Sequence, residues 1–289
     1  MLNWKTAAEK GQGMDSCGTE IGEKSMKVGF IGSGNMGSAM MRGILAGGKC
    51  GENEIMASDT LAEKLTAIEK DLGILTTMDN KIVASFADVL FLAVKPQYYK
   101  NIIDEIQEVI TWDKVVVTIA PGKTLEWLES AFVKPVKIIR AMPNTPAMVG
   151  EGMLGMCPNE NMSKEDIALV RDICSSFAKT EIVGENLMDV VTAVSGSSPA
   201  YVFLFIEAMA DAAVADGMPR AQAYKFAAQT VLGSAKMVLE TGKHPGELKD
   251  MVCSPGGTTI EAVRVLEKEG LRSAVFEAVK ACVSKAREM

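Results

Sequence analysis

The apolar positions of the chain follow two successive patterns. From Met26 to about Lys137, short apolar or β-branched runs alternate with amphipathic stretches of helical period. The runs are KVGFI, EIMAS, DVLFLAV, KVVVTI and KIIRAM. Near-continuous apolar strands separated by helices are typical of a parallel sheet that is covered on both faces. This half therefore predicts a doubly wound α/β domain.

After Glu185 the strand pattern stops, and apolar residues recur at helical spacing in segments rich in Ala, Met and Leu. Pro199 and Pro219 stand at first-turn positions, and Gly242 stands at a helix end. The last helix is expected from about Leu271. We predict a second, all-helical domain.

The long helical segment SPAYVFLFIEAMADAAVADG is apolar on nearly every face. A helix that is apolar all round is expected to be buried all round. In so small a domain this favours packing against a second subunit. The alternative is a helical core completed within one monomer.

Composition narrows the class of protein. Of 289 residues, 48% are hydrophobic and 23% charged, which indicates a globular chain, and the apolar runs are too short to cross a membrane. The net charge of -7 argues against a nucleic-acid partner. Six scattered cysteines, without a Cys-x-x-Cys pair, and a single histidine favour a reduced, cytoplasmic protein without a structural metal. Residues 1–25 are polar and Gly-rich, and we interpret them as a disordered or vector-derived leader.

A glycine pattern follows the first predicted strand. In KVGFIGSGNMGSAM, Gly32, Gly34 and Gly37 form a Gly-x-Gly-x-x-Gly sequence between a strand and a helix. Gly32 would make the turn, Gly34 would admit a pyrophosphate, and Gly37 would let the helix pack on the strand. The helix N-terminus would supply N–H groups to the phosphates. We predict dinucleotide binding, against the alternative of a simple strand-helix turn.

Asp59 follows the second strand, near the expected adenosine ribose. An acid there favours the free 2'-hydroxyl of NAD, although Ser58 and Thr60 could donate to a 2'-phosphate if Asp59 turned outward. A helix cap without ribose contact is a further alternative. The residues leave the choice between NAD and NADP open.

The turns AVKPQ and TIAPG end the fourth and fifth predicted strands and face the expected cofactor cleft. Lys95 in the first turn is a candidate cation near the nicotinamide ribose or an anionic substrate, or else a solvated loop lysine. A ketone reductase needs an acid near the nicotinamide. The only histidine, His244, has the features of a solvated loop residue, and the helix 199–216 has no lysine. This scarcity favours a substrate that brings its own proton, such as a protonated C=N bond.

The segment MVCSPGGTTIEAV contains a second glycine-rich turn before a helix. Backbone N–H groups of Gly256, Gly257, Thr258 and Thr259 at that helix N-terminus could hold a small carboxylate. The threonine hydroxyls could then reach a neighbouring ring nitrogen. The alternative is an ordinary capped helix start.

Together, FIGSGNMG, FLAVKPQ, IIRAMPNTPAMVGEGM, VSGSSPAYVF and HPGELKDMVCSPGGTTIEAVRVLE resemble the pyrroline-5-carboxylate reductase family, from Met26 to the C-terminus. The resemblance implies NADPH- or NADH-dependent reduction of L-1-pyrroline-5-carboxylate to L-proline, the last step of proline biosynthesis. It also implies an N-terminal Rossmann-type doubly wound parallel sheet over 26–186, and a C-terminal all-α substrate and dimerisation domain over 187–289. Such chains form homo-oligomers, at least dimers and in some cases decamers.

The resemblance also implies site residues. The expected cofactor contacts are Ile31, Gly32, Ser33, Gly34, Asn35, Met36, Gly37, Ser58, Asn80, Ala93, Val94, Lys95, Pro96, Ile119, Ala120 and Pro121. Substrate contacts are expected from Ser254, Gly256, Gly257, Thr258, Thr259 and, near the product, Glu185. The expected catalytic residues are Thr259, which would bond the ring nitrogen, and Lys95.

Two positions depart from the family pattern. Pro121 stands where a small residue is usual, and Asp59 follows the serine expected at the 2'-phosphate, which it would repel unless it points away. Two other functions are considered. A β-hydroxyacid dehydrogenase would need a lysine on the long helix, and a non-catalytic dinucleotide sensor would not need the second glycine-threonine turn.

Overall fold

The computed structural model describes residues 26–288, so the predicted leader over 1–25 lies outside the described residues. Eight strands form one sheet in the order β3-β2-β1-β4-β5-β6-β7-β8. Their bounds are β1 Val28–Ile31, β2 Ile55–Ser58, β3 Leu75–Thr77, β4 Val89–Leu92, β5 Val115–Thr118, β6 Lys137–Met142, β7 Gly152–Pro158 and β8 Ala178–Ile182. The first six strands are parallel, β7 runs antiparallel to β6, and β8 is parallel to β7.

Six helices accompany the sheet: α1 Asn35–Ala46, α2 Ala62–Leu72, α3 Asn80–Phe86, α4 Tyr99–Ile106, α5 Leu125–Phe132 and α6 Lys164–Cys174. One face of the sheet packs Phe30 and Phe91, whose rings stack at 4.7 Å, against apolar residues of α1 and α6. The other face packs Leu90 against α3, α4 and α5. Both faces are covered, which confirms the doubly wound α/β prediction.

The remaining chain is helical after β8. It contains α7 Met188–Val191, α8 Ser198–Ala215, α9 Arg220–Thr241, α10 Pro245–Val252, α11 Thr258–Lys268 and α12 Leu271–Arg287. A π-helical turn, Thr192–Ser197, joins α7 to α8. The last helix begins at Leu271, as expected.

The continuous helical segment Glu185–Ala215 has the length and apolar composition of a membrane span, and within residues 26–288 it is the one helix that does. Little of its apolar surface is buried within one chain: Phe203 is 62% and Leu204 67% exposed. The expectation that the apolar runs are too short to cross a membrane is therefore wrong for this segment by length and composition, because the helix continues beyond the run AYVFLFI on both sides. Its side chains need a partner surface that a single chain does not provide.

Candidate active site

The turn between β1 and α1 is built on glycines. Gly32 has φ +105°, a region that favours glycine, and a Cβ on it would lie 2.6 Å from the carbonyl oxygen of Ala93. A Cβ on Gly37 would lie 2.5 Å from the carbonyl oxygen of Gly32. A Cβ on Gly34, the N-cap of α1, would meet nothing within 4 Å. The chain is therefore tight where the turn closes and open where a pyrophosphate would approach the helix N-terminus.

Asp59 is tied to this glycine turn. Its Oδ2 accepts hydrogen bonds from the N–H of Ser33 at 3.0 Å and from the hydroxyl of Ser33 at 2.9 Å, and its Oδ1 accepts from the N–H of Leu61 at 3.1 Å. Lys64 Nζ lies 4.0 Å from Oδ2. Burial alone would raise the pKa of Asp59, but the Ser33 and Leu61 hydrogen bonds and the Lys64 charge hold it below its ordinary value. The carboxylate is charged at neutral pH and points into the turn.

Two further residues of the expected cofactor set meet beside it. The buried hydroxyl of Ser58 donates to Asn80 Oδ1 at 2.7 Å. Asn80 Nδ2 in turn donates to Glu105 Oε2 at 2.8 Å. The carboxyl end of β2 and the start of α3 thus form one polar patch, where the adenosine end of a dinucleotide is expected.

Tyr99 joins the two turns that follow β4 and β5. Its buried hydroxyl donates to the carbonyl of Leu92 at 2.6 Å and accepts from the N–H of Ile119 at 3.2 Å. Burial raises the pKa of Tyr99, so the phenol stays protonated and can donate. Through these two hydrogen bonds, Tyr99 holds two turns side by side. The first turn contains Ala93, Val94, Lys95 and Pro96, and the second contains Ile119, Ala120 and Pro121.

This role of Tyr99 was not predicted from the sequence. The available signal was a tyrosine directly after KPQY at an inward position of an amphipathic helix, because a buried tyrosine hydroxyl needs a partner. Lys95 itself is exposed at the carboxyl end of β4, on the edge of the sheet where the cofactor is expected.

Asn144 connects the sheet edge to the helical segment. The residue is 8% exposed, its Nδ2 donates to the carbonyl of Ser195 in the π-helical turn at 3.0 Å, and its Oδ1 accepts from the N–H of Met153 at 2.9 Å. A π-turn leaves backbone groups off the normal helical ladder and is frequent at functional sites. The loop after β6 therefore fixes the start of the long helix α8. Sequence reasoning did not identify Asn144, since nothing local signals a partner so far along the chain.

Glu185 lies at the junction between the sheet and the helices. Its Oε1 accepts from the N–H of Leu125 at 2.6 Å and from Arg140 at 3.1 Å. Arg140, on β6, is buried and also lies 3.6 Å from Asp189. In this structure Oε1 of Glu185 is therefore already bonded to one residue of α5 and to one of β6.

The turn at 254–259 has the shape expected of an anion cradle. Gly256 has φ +67°, and α11 begins directly afterwards with Gly257 as an N-cap that has no side-chain bond. Ser254, Gly256 and Thr258 are exposed, whereas Thr259 is half-buried. Glycine at the cap leaves the N–H groups of Thr258 and Thr259 open to a ligand. The N–H of Gly257, which was expected to be a further donor, instead donates to the carbonyl of Ser254 at 3.1 Å. His244 is exposed and accepts from the N–H of Gly246 at the start of α10.

The structure thus brings most of the expected cofactor residues to one edge of the sheet. The hydrogen bonds and ion pairs recorded within residues 26–288 do not join this edge to the turn at 254–259. A doubly wound sheet with an open glycine turn before α1, followed by a helical segment with a second glycine-rich turn before α11, is the arrangement expected of a two-domain nicotinamide-dependent oxidoreductase.

Comparison with known proteins identifies the family. The pyrroline-5-carboxylate reductase of Escherichia coli is 53% identical over 91% of this chain and 98% of its own length, and that of Methanosarcina acetivorans is 44% identical over 92% and 98%. The chain belongs to the pyrroline-5-carboxylate reductase family. Residues 185–289 match the family model for pyrroline-5-carboxylate reductase dimerisation, and residues 27–122 match the model for NADP oxidoreductase, coenzyme F420-dependent.

Solved structures agree with this assignment. A pyrroline-5-carboxylate reductase from Coxiella burnetii superimposes with a TM-score of 0.85 at 36% identity, over 92% of this chain and 98% of that one. The Plasmodium falciparum pyrroline carboxylate reductase, whose structure has NADP bound, gives a TM-score of 0.83 at 32% identity, over 92% and 99%. The Rossmann-type domain and the helical dimerisation domain of the predicted fold are confirmed.

Proposed function

We propose that this protein reduces L-1-pyrroline-5-carboxylate to L-proline with NADPH, as the final step of proline biosynthesis. The observation that carries the proposal is the second glycine-rich turn at 254–259, directly before α11, in a chain that has a first glycine turn at Gly32, Gly34 and Gly37 before α1. A cofactor-binding sensor has no need of a separate carboxylate site. The family assignment and the NADP-bound relative support the substrate and the cofactor.

Each cradle has its own task in this proposal. The first-turn N–H groups of α1, together with the turns after β4 and β5, bind the dinucleotide, which supplies the hydride when bound. The first-turn N–H groups of α11, with Ser254, Gly256, Gly257 and Thr258, bind the substrate carboxylate. The hydroxyl of Thr259 bonds the ring nitrogen, and Lys95 supplies positive charge at the cofactor edge. Because the imine is already protonated, the chain needs no acid of the kind that a ketone requires.

The proposal extends to assembly and location. The exposed apolar helices and the dimerisation match support a homo-oligomer in which α8 packs on a second copy and not in a membrane. We propose a dimer at least, with a decamer as the larger assembly, in the cytoplasm.

The domain boundary is proposed near 186, between the last strand and the first long helix. Glu185 was expected near the product; because its Oε1 is bonded to Leu125 and Arg140, we propose instead that it holds the junction between the two domains.

Turnover with the imine is the direct test. Purified protein given NADPH or NADH and racemic pyrroline-5-carboxylate should oxidise the cofactor and form proline in equal amounts. Saturable cofactor binding without turnover of the imine would instead identify a dinucleotide sensor. Absence of both would remove the proposal.

Thr259→Ala tests the assigned role of the hydroxyl. We expect kcat/KM for the imine to fall about tenfold to a hundredfold, since a hydrogen bond to a charged partner contributes about 1.5 to 3 kcal/mol. The dissociation constant of NADPH should stay unchanged, and Thr259→Ser should restore much of the activity. The control is Thr66→Ala, which removes an exposed hydroxyl that bonds only the preceding helical turn of α2. Equal losses in imine turnover and NADPH affinity would contradict the role of Thr259.

A further inference from the structure

Asp59 and Lys64 form an opposed pair of charges at the end of the cofactor edge. Asp59 stands directly after β2, where an acid in a doubly wound sheet meets the adenosine ribose. Lys64 lies in the first turn of α2, with its Nζ 4.0 Å from Asp59 Oδ2. The side chain of Asp59 is 10% exposed and that of Lys64 is 48% exposed. One charge is therefore held in place, and the other is free to move.

The hydrogen bonds explain why Asp59 cannot turn outward. Both of its carboxylate oxygens are occupied, Oδ2 by the N–H and hydroxyl of Ser33 and Oδ1 by the N–H of Leu61. The turn is also held from its other side, because Ser38 Oγ donates to the carbonyl of Ser33 at 2.9 Å. Turning Asp59 away would break three hydrogen bonds and loosen the glycine turn. A 2'-phosphate would consequently approach a fixed negative charge.

Lys64 has the opposite relation to that phosphate. At 4.0 Å its contact with Asp59 is at the limit of an ion pair, and the Lys64 side chain, which is largely in solvent, is held only weakly at that distance. The ammonium can therefore shift to a second anion arriving beside Asp59. A phosphate monoester carries nearly two negative charges and would be the stronger partner.

We propose that Asp59 and Lys64 together set the choice between NADPH and NADH, Asp59 lowering and Lys64 raising the affinity for the 2'-phosphorylated cofactor. The inference rests on the dinucleotide-binding part of the proposed function. This chain should therefore prefer NADPH over NADH less strongly than a chain with a neutral residue at position 59. NADH thereby becomes a usable second cofactor.

The test compares ADP-ribose with its 2'-phosphate, because these fragments report on the ribose end without the nicotinamide or the imine. Calorimetry on the full chain gives both dissociation constants. Asp59→Asn keeps an oxygen acceptor but removes the charge, and should increase the preference for the 2'-phosphate about tenfold, as expected for a nearby like charge near a protein surface. Lys64→Met should decrease the preference about threefold to tenfold. Lys70→Met, on the exposed last turn of the same helix, is the matched control and should change neither constant.

Two results would overturn the inference. One is an unchanged ratio in Asp59→Asn. The other is an equal loss of affinity for both fragments, which would mean that Asp59 only braces the glycine turn. Imine kinetics separate this test from the proposed function. A shifted ratio without imine turnover would refute the reductase alone, and imine turnover with an unshifted ratio would refute the cofactor pair alone.

Discussion

The sheet domain and the helical domain are similarly apolar but differ in how they bury that surface. Every residue of β1, β4 and β5 is buried, and Phe30 and Phe91 are fully enclosed. In the helical domain, Phe203 and Leu204 of α8 and Phe226 of α9 are 62%, 67% and 64% exposed. The sheet completes its own core by placing helices on both faces. The helices do not complete a core within one chain.

This difference separates two kinds of stability. Burying a large apolar side chain contributes about 1.5 to 3 kcal/mol, so the sheet domain gains its stabilisation within each chain. The helical domain can gain the same contribution only at an interface, where it depends on protein concentration. Since the proposed substrate turn lies among these helices, activity should depend on assembly, whereas dinucleotide binding should not.

The largest expected effect comes from a charge placed on the exposed apolar helix. Leu204→Asp should raise the dimer dissociation constant by at least about a hundredfold, because burying an unpaired charge costs several kcal/mol. Sedimentation velocity would detect monomers, and imine turnover should be lost with the dimer while cofactor binding persists. Trp112→Gln is the control, since Trp112 is 78% exposed but belongs to the sheet domain.

If the Leu204→Asp variant is dimeric and fully active, the helical domain does not depend on an interface to bury its apolar surface. Such a result would mean that α8 faces solvent in the working protein. Loss of the dimer in Trp112→Gln would instead indicate that the sheet domain contributes an interface of its own.

A pair of alanine substitutions in the glycine turn gives the next largest effect. Gly32→Ala places a Cβ 2.6 Å from a backbone oxygen at φ +105°, and should destabilise the sheet domain by about 1 to 3 kcal/mol or more. Gly34→Ala meets no protein atom within 4 Å, so Tm without cofactor should be unchanged. Its dissociation constant for NADPH should nevertheless rise about tenfold or more, because the methyl group fills the pyrophosphate approach.

Thermal unfolding with and without NADPH checks both variants. If Gly34→Ala binds NADPH normally, the open side of the turn is not the cofactor cradle. If it lowers Tm without cofactor, the turn is not preformed in the way that the geometry indicates.

The predictability of the fold followed the strength of local patterns. Strands β1, β2, β4, β5 and β6 have continuous apolar runs, which the sequence predicts because both of their faces are covered. β3 was expected from the strand count but not located, and β8 was missed, since their LTT and AKTEI sequences are short or polar, as suits the two edges of the sheet. β7, with the sequence GMLGMCP, has no β-branched residue and resembles a loop in composition.

The residues of the candidate site likewise differ in how well the sequence predicts them. Its glycine turns are predictable because the required backbone conformation restricts the residue type locally. The contacts of Tyr99 and Asn144 are not, since their partners lie 20 and 51 residues along the chain. For Asp59, the residue type was informative but its direction was not, because a hydrogen bond from Ser33 decides which way it points.

The smallest effect is expected at the hydrogen bond from Asn144, in the loop after β6, to the carbonyl of Ser195 in the π-helical turn. Asn144→Ala removes the hydrogen bond to the Ser195 carbonyl. It should lower kcat about threefold to tenfold, because α8 and the proposed substrate turn at 254–259 are then positioned less exactly relative to the cofactor edge of the sheet. The affinity for NADPH should not change. Asn159 is the matched control. It is 7% exposed and makes the same kinds of bonds, to Ile138 and Val136, at the opposite end of β6. Both variants should lose about 1 to 3 kcal/mol of unfolding free energy, but only Asn144→Ala should lose kcat per folded molecule. Equal kinetic losses in the two variants would reduce Asn144 to a structural residue, and the sheet and helical domains would then be coupled elsewhere.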